Sequence, residues 1–396
     1  MTRAARTLVF GAFDRHNLGD MLFAHVVAAL APRRERLVFA GVAECDLRRW
    51  GGHFVRAIAD IAAADGDELT DVIHAGGELL TCDTWQAAVM TRAPEEAAHA
   101  IRRFESRPAE RLGWGRQTLG IAHDIAYILP RHALRRPGRF VLNAVGGIGL
   151  DSLAPPLRDE ALARLRDADA VTVRDRLTQA ALARHGIAVE LAPDCAVLVA
   201  ELFGAAIRAR GAQGEVAEIA ARFPRGYLAV QFAAELGDDA TLAALATALD
   251  DIAAENGFGI VLFRAGAAPW HDELEPYRRL AGRLRAPAVV AEALHIFDIC
   301  ALIAGSRGFL GTSLHGRIVA LAFGVPRASL VADTAVLSKA GAFIATWEPE
   351  APPVIAPDAV ARGLRLALAE DRAAALGTSQ ALAARCRRGL ERLLAL

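Results

Sequence analysis

Gly308-Phe-Leu-Gly-Thr-Ser-Leu-His-Gly-Arg-Ile-Val-Ala-Leu-Ala-Phe-Gly-Val-Pro326 sets one histidine between a short apolar run and an apolar helical pattern. The stretch reads as strand, tight turn and helix: Gly308 to Leu310 is extended, Gly316 to Phe323 is helical, and Pro326 opens the next strand. Gly311 and Gly316 would let the backbone turn and come close to a bound group. In an open parallel sheet, ligands bind at the carboxyl ends of strands, against the first turns of the following helices. Free N–H groups and the helix dipole favour an anion there. His315 falls at such a point.

The same alternation runs outward in both directions. Toward the C-terminal half it predicts strands near Tyr227–Phe232, Gly259–Phe263, Ala288–Val290, Gly308–Leu310 and Arg327–Val331, with helices near Thr241–Glu255, Glu273–Leu284, Ile296–Ala304 and Gly316–Phe323. In the first half it predicts strands near Thr7–Phe13, Leu37–Val42, Asp71–His74, Phe140–Val145, Ala170–Val173 and Val189–Leu191, the first helix starting at Gly19 or Asp20. Between the two series Glu201–Arg222 is helical and charge-rich, until Pro224-Arg-Gly226 breaks it. Alternating strands and helices mean parallel βαβ units. The expected fold is therefore α/β, with two doubly wound Rossmann-like domains and a helical tail. The boundaries are 1–200, a helical linker 201–225, 226–355, and helices 356–396 packing back on the first domain; apolar residues at helical spacing in Gln380–Leu396 suit that packing.

Composition narrows the function classes. The chain has 396 residues, 54% of them apolar, and a formal net charge of −1, which gives no bulk electrostatic support for nucleic-acid binding. Lys339 is the only lysine, so arginine carries nearly all the positive charge and a single arginine is weak evidence for a site. Five cysteines, widely spaced and without a C-x-x-C pair, read as reduced thiols rather than a disulfide frame or a zinc site. The basic start, Met1 to Arg6, precedes an apolar run too short for a signal peptide, and no stretch approaches the ~20 apolar residues of a membrane span. A soluble cytoplasmic protein is expected, with peripheral membrane contact and oligomeric state left open.

Several further segments, read with the first, carry a resemblance. Asn17-Leu-Gly-Asp20 precedes an apolar helix; Ala75-Gly-Gly-Glu78 ends a strand; Asn143-Ala-Val-Gly-Gly-Ile-Gly149 is a glycine turn; Val173-Arg-Asp175 is followed by Thr178; then come Pro193-Asp-Cys-Ala196 and Lys339-Ala-Gly341. In this order and spacing, from residue 7 to residue 341, they resemble the polysaccharide pyruvyltransferase family, whose members move pyruvate from phosphoenolpyruvate onto sugar hydroxyls. The resemblance implies a glycosyltransferase-B-like architecture of two domains facing a cleft. The first domain would be the acceptor side and the second the donor side. It also implies phosphoenolpyruvate as donor, a sugar or lipid-linked saccharide acceptor for a cell-surface or exopolysaccharide, and no cofactor. Ser313 stands where many members carry arginine, and Glu78 breaks the glycine triplet.

Phosphoenolpyruvate brings a carboxylate and a phosphate close together, so its site needs positive charge and several donors, which the arginine fork supplies. Arg174, at the end of a strand in the arginine-acid block, is the first candidate for the donor's anionic end, with an ion pair to Asp175 or a neighbouring helix as its structural alternative. Arg264, after Val261-Leu-Phe263, is the second. His315 could bind phosphate or carry protons, since an imidazole does both near neutral pH. Catalysis is thus expected from His315 and Arg174. Substrate binding is expected from Asn17, Asp20, Gly76, Gly77, Arg264, Thr312, Ser313, Leu314 and Arg317, the last replacing the charge absent at Ser313. Asp20 could orient a sugar hydroxyl or cap the first helix. Asp194 reads as a brace. His271-Asp-Glu273 lacks a further ligand at metal spacing, so no metal is expected. Neither glycine turn has the G-x-G-x-x-G order of a dinucleotide site. Two other readings remain open: a nucleotide-sugar glycosyltransferase, with Glu292 as a faint candidate to grip ribose, and a non-catalytic carbohydrate-binding protein.

Overall fold

The computed structural model describes residues 6–64 and 66–395; most of the basic start read above, residues 1–5, lies outside the described residues, as does Leu396 at the end of the tail. The chain divides into two compact units, one up to Cys195 joined by the residues from Arg385 onward, the other Ala196–Ala384.

The first unit is built on eight strands: β1 (Arg6–Phe10), β2 (Leu37–Gly41), β3 (Cys45–Asp46), β4 (Phe54–Ala57), β5 (Thr70–His74), β6 (Pro137–Val145), β7 (Ala170–Val173) and β8 (Glu190–Leu191). They lie in the order β3-β4-β2-β1-β5-β6-β7-β8, parallel throughout except β3 against β4. Leu8, Val9 and Phe10 have no exposed surface, because a parallel strand with both faces covered must be apolar on both sides. That is why the central strands are legible as unbroken apolar runs. The edge strands β3 and β4 were not expected. They lie in the polar stretch Cys45-Asp-Leu-Arg-Arg-Trp-Gly-Gly-His-Phe-Val-Arg-Ala57, which has no such run. From β1 the chain builds outward to β2 and β4 on one side, then returns to build β5, β6, β7 and β8 on the other. The reversal between β1 and β5 is a topological switch point, the crevice where doubly wound sheets take ligands.

The second unit carries five parallel strands, β9 (Tyr227–Gln231), β10 (Gly259–Leu262), β11 (Ala288–Val290), β12 (Gly308–Gly311) and β13 (Arg327–Ser329), in the order β11-β10-β9-β12-β13. Its switch point lies between β9 and β12. Gly311 and Gly316 do not take left-handed backbone here; a Cβ at either would come within 2.6 Å or 2.5 Å of the Phe309 ring, so both glycines exist to admit that ring.

The stretch expected as a linker, 201–225, is instead part of the second unit. Helices Val199–Gly211 and Gly214–Arg222 pack there, and Arg210 Nε donates to Asp298 Oδ1 at 2.6 Å. The tail also differs from its expected boundary. Residues 356–384 group with the second unit, and the first receives only the end of helix Arg372–Ala395, where Cys386 and Leu390 are buried and Arg385 Nη2 donates to the Leu191 carbonyl at 3.1 Å. Among the described residues no helix is long and apolar enough to cross a membrane.

Candidate functional site

At the switch point of the second unit, the chain ends of β9, β10 and β12 are knitted by side chains. Gln231, the last residue of β9, is 2% exposed. Its Oε1 accepts from the Ser313 backbone N–H at 2.8 Å and from Thr312 Oγ1 at 3.4 Å. Its Nε2 donates to Asp272 Oδ1 at 2.8 Å. Asp272 Oδ2 accepts from the Ala265 N–H at 2.6 Å, directly after Arg264. Thr312 Oγ1 also accepts from Ala233 N at 3.0 Å. Ser313 caps the helix Leu314–Ala322, its Oγ accepting from Gly316 N at 3.1 Å.

This scaffold brings together Arg264, Thr312, Ser313 and His315, all half-buried, at one end of the sheet. His315 is the second residue of the capped helix, where N–H groups have no partner within the helix and the dipole is positive. Arg264 Nε is buried without a hydrogen-bond partner. A cationic fork, a helix start and an imidazole at the same end of one sheet suit a small anion bearing more than one acidic group. Leu314 is 5% exposed, which confines any contribution it makes to its backbone.

Burial pushes the Asp272 carboxyl up from 3.8 to about 7, against the pull of the Ala265, Gln231 and Gly266 donors and of the Arg264 charge. The folded protein therefore holds a proton that the unfolded chain has lost, and the stability tied to Asp272 is complete below about pH 4 and falls as pH rises to about 7. Asp272→Asn, which cannot ionise, should remove that part of the slope from urea-unfolding midpoints measured across this window. An unchanged slope would assign the proton elsewhere.

Arg317 is corrected by the structure. It has no exposed surface: Nε donates to Glu348 Oε2 at 2.7 Å and Nη1 to Ser329 Oγ at 3.3 Å. Glu348 Oε1 meanwhile accepts from Arg327 Nε at 2.8 Å. Arg317 is thus one arm of a buried ion cluster under the sheet, not a substitute for charge at Ser313. Glu292, the faint ribose candidate, sits in an exposed ion pair with Arg278 at 3.6 Å.

In the first unit, the switch point gathers residues from β1, β5, β6 and β7. Asn17 caps the helix Leu18–Leu30, its Oδ1 accepting from Gly19 N at 3.1 Å and Asp20 N at 3.2 Å. The cap is therefore Asn17 and not Asp20. Asp20, 8% exposed, instead pairs with Arg15 Nη2 at 3.4 Å. Arg15 Nη1 donates to Tyr127 Oη at 2.7 Å, and Tyr127 Oη donates to Asp14 Oδ1 at 2.9 Å. Asp14 Oδ2 holds the end of β2 through Val42 N at 2.7 Å, and burial raises its pKa. Gly76 and Gly77 have φ of 115° and 101°, left-handed backbone that disfavours other residues; a Cβ on Gly77 would also lie 3.1 Å from Asp20 Oδ1.

Arg174 is 3% exposed and already compensated. Nη2 donates to Glu78 Oε2 at 2.6 Å and Nη1 to Asp194 Oδ2 at 3.4 Å. The expected partner Asp175 instead caps the helix Arg176–Arg184 through Thr178 N at 2.7 Å. Glu78 Oε1 accepts from Ile148 N at 2.9 Å, and a Cβ on Gly146 would come within 2.5 Å of Glu78 Oε2, so the broken glycine triplet has a reason: its glutamate braces the next glycine turn. Gln231, Arg15, Asp14 and Tyr127 were not singled out from the sequence, and Asp272 was weighed only as part of a metal-like triplet, not as a brace. Asp14-Arg15 did carry a signal, as two charges directly after an apolar strand; Gln231 and Tyr127 carried none.

The polysaccharide pyruvyl transferase family model matches residues 17–333, most of the chain. The chain belongs to the polysaccharide pyruvyl transferase family. Family membership supports a transferase. No curated protein matches the sequence. Among solved structures, the UDP-GlcNAc 2-epimerase of Methanocaldococcus jannaschii is similar over 92% of this chain and 93% of its own, at 10% identity and a TM-score of 0.54. The UDP-N-acetylglucosamine 2-epimerase of Rickettsia bellii is similar over 99% and 98%, at 9% identity and a TM-score of 0.55. At these identities the likeness concerns the fold alone, which is of the glycosyltransferase-B type that the pyruvyl transferase resemblance implied.

Proposed function

We propose that this polysaccharide pyruvyl transferase takes pyruvate from phosphoenolpyruvate and fixes it as a ketal across two hydroxyls of a saccharide destined for the cell surface. What supports the reading is the second unit's switch point, with Arg264, the Ser313-capped helix start and His315 at one end of the sheet. In the reaction, one sugar hydroxyl bonds to C2 of the donor while C3 gains a proton and the hydroxyl loses its own. The second hydroxyl then bonds to C2 as the C2–O bond to phosphate breaks. Phosphate leaves with the bonding electrons, and the second hydroxyl proton is released. Protons must therefore be given and taken more than once, the role proposed for His315. Arg264 and the Leu314 N–H at the start of the Ser313-capped helix would hold the anion. Arg174 could join only by exchanging Glu78 for a donor oxygen, since its charge is otherwise compensated.

Binding separates this reading from its rivals. At a hundredfold excess over the dissociation constant, a true ligand stabilises by ~2.7 kcal/mol, a melting shift of about 5–10 °C. Phosphoenolpyruvate should give that shift and UDP-sugars should not; the reverse pattern would favour a nucleotide-sugar enzyme.

A further inference from the structure

Trp270 occupies a position that stability alone would give to glycine. His271 N donates to the Ala268 carbonyl at 3.1 Å, closing a turn with Pro269 second and Trp270 third. Proline cannot take positive φ, so a turn with Trp270 at φ 63° is of type II, whose third residue is ordinarily glycine. A bulky side chain in left-handed backbone costs about 1–2 kcal/mol, and such strain collects at functional sites. The side chain does not offset that cost by burial: Trp270 is 49% exposed, against 7% for Trp85 and 9% for Trp347.

The turn is also rigidly placed. Asp272 N donates to the Gly266 carbonyl at 3.2 Å, and the Asp272 carboxyl ties the loop through Gln231 to Thr312 and Ser313. An exposed indole is thus held on a braced loop that begins at Arg264, at the same end of the sheet as His315.

We infer that Trp270 is a specificity residue, a flat platform on which a pyranose ring of the saccharide acceptor stacks. The C–H groups on one face of a sugar carry partial positive charge and suit the negative face of an indole. A nucleobase needs hydrogen-bond donors along its edge as well as a face. The N–H groups of Ala265, His271 and Asp272 are already donated within the loop and so cannot read a nucleobase edge. The inference rests on the reading of the chain as a saccharide-modifying transferase, and its test is made without phosphoenolpyruvate so that the two fail separately.

Saturation-transfer NMR on the full chain would use methyl β-galactopyranoside, methyl β-glucopyranoside, methyl β-mannopyranoside and UMP as probes, with wild type, Trp270→Gly and Trp270→Phe. Transfer to the ring C–H protons of at least one glycoside is expected. It should weaken on the order of tenfold, about 1.4 kcal/mol, in Trp270→Gly and largely persist in Trp270→Phe. Trp270→Gly should melt at the same temperature as wild type or higher, because glycine relieves the backbone; a merely structural tryptophan would lower it. Unchanged glycoside binding in Trp270→Gly, no glycoside binding in wild type, or a loss confined to UMP would each overturn the proposal. Sugar binding that survives while pyruvyl transfer fails would leave the platform standing and remove the proposed reaction.

Discussion

His315→Ala is expected to lower turnover by at least ~100-fold, the usual worth of a positioned proton-transfer group, with little change in melting temperature. The residue is half-buried in the first turn of a helix whose cap, Ser313, is untouched by the change, and alanine is the best helix former. His315→Gln separates the two things an imidazole can do. Glutamine can still donate a hydrogen bond to phosphate but cannot exchange a proton, so it should retain donor binding, read from the phosphoenolpyruvate melting shift, while losing turnover. Near-normal turnover in both variants, with the fold intact, would remove His315 from the chemistry.

Glu348→Ala should be the most damaging single change to the second unit. It leaves Arg317 and Arg327, 0% and 3% exposed, as two buried cations without their shared carboxylate. Breaking a buried ion pair by removing one partner costs ~3–5 kcal/mol, a fall of roughly 6–20 °C for a unit of this size. Arg317→Ala should likewise act through stability. Its effect on the KM for phosphoenolpyruvate should be small beside its effect on melting, which is the opposite of what a substrate-binding arginine would do. A melting point within 2–3 °C of wild type for Glu348→Ala would mean that water reaches the cluster.

The alternation that revealed the central strands is a consequence of burial. Residues 8–10 of β1 and 227–230 of β9 are covered on both faces and form unbroken apolar runs, whereas β3 and β4 at the sheet edge are short and lie in a polar stretch with no such signature. Ser313 and the glycines of residues 76 and 77 stood out as substrate-binding candidates, but their structural roles, a helix cap and left-handed backbone, were not read from the sequence. Charge was the poor guide. Arg317 and Arg174 are spaced from strand ends as ligand-binding arginines would be, yet both meet carboxylates distant in sequence, Glu348 for the one and Glu78 and Asp194 for the other. No local pattern announces such a pairing. Gln231 escaped notice and Asp272 was read only as part of a metal-like triplet for the same reason, since their importance lies in bonds that join three strand ends across 41 and 82 residues.

The most direct measurement of the central claim is mass spectrometry of lipid-linked and nucleotide-linked saccharides after incubation with phosphoenolpyruvate, with free phosphate followed in parallel. The expected product is a saccharide heavier by one ketal-bound pyruvate, formed in step with phosphate release and absent with His315→Ala. Phosphate release with free pyruvate and no modified sugar, or transfer of a glycosyl group from a UDP-sugar in its place, would contradict it.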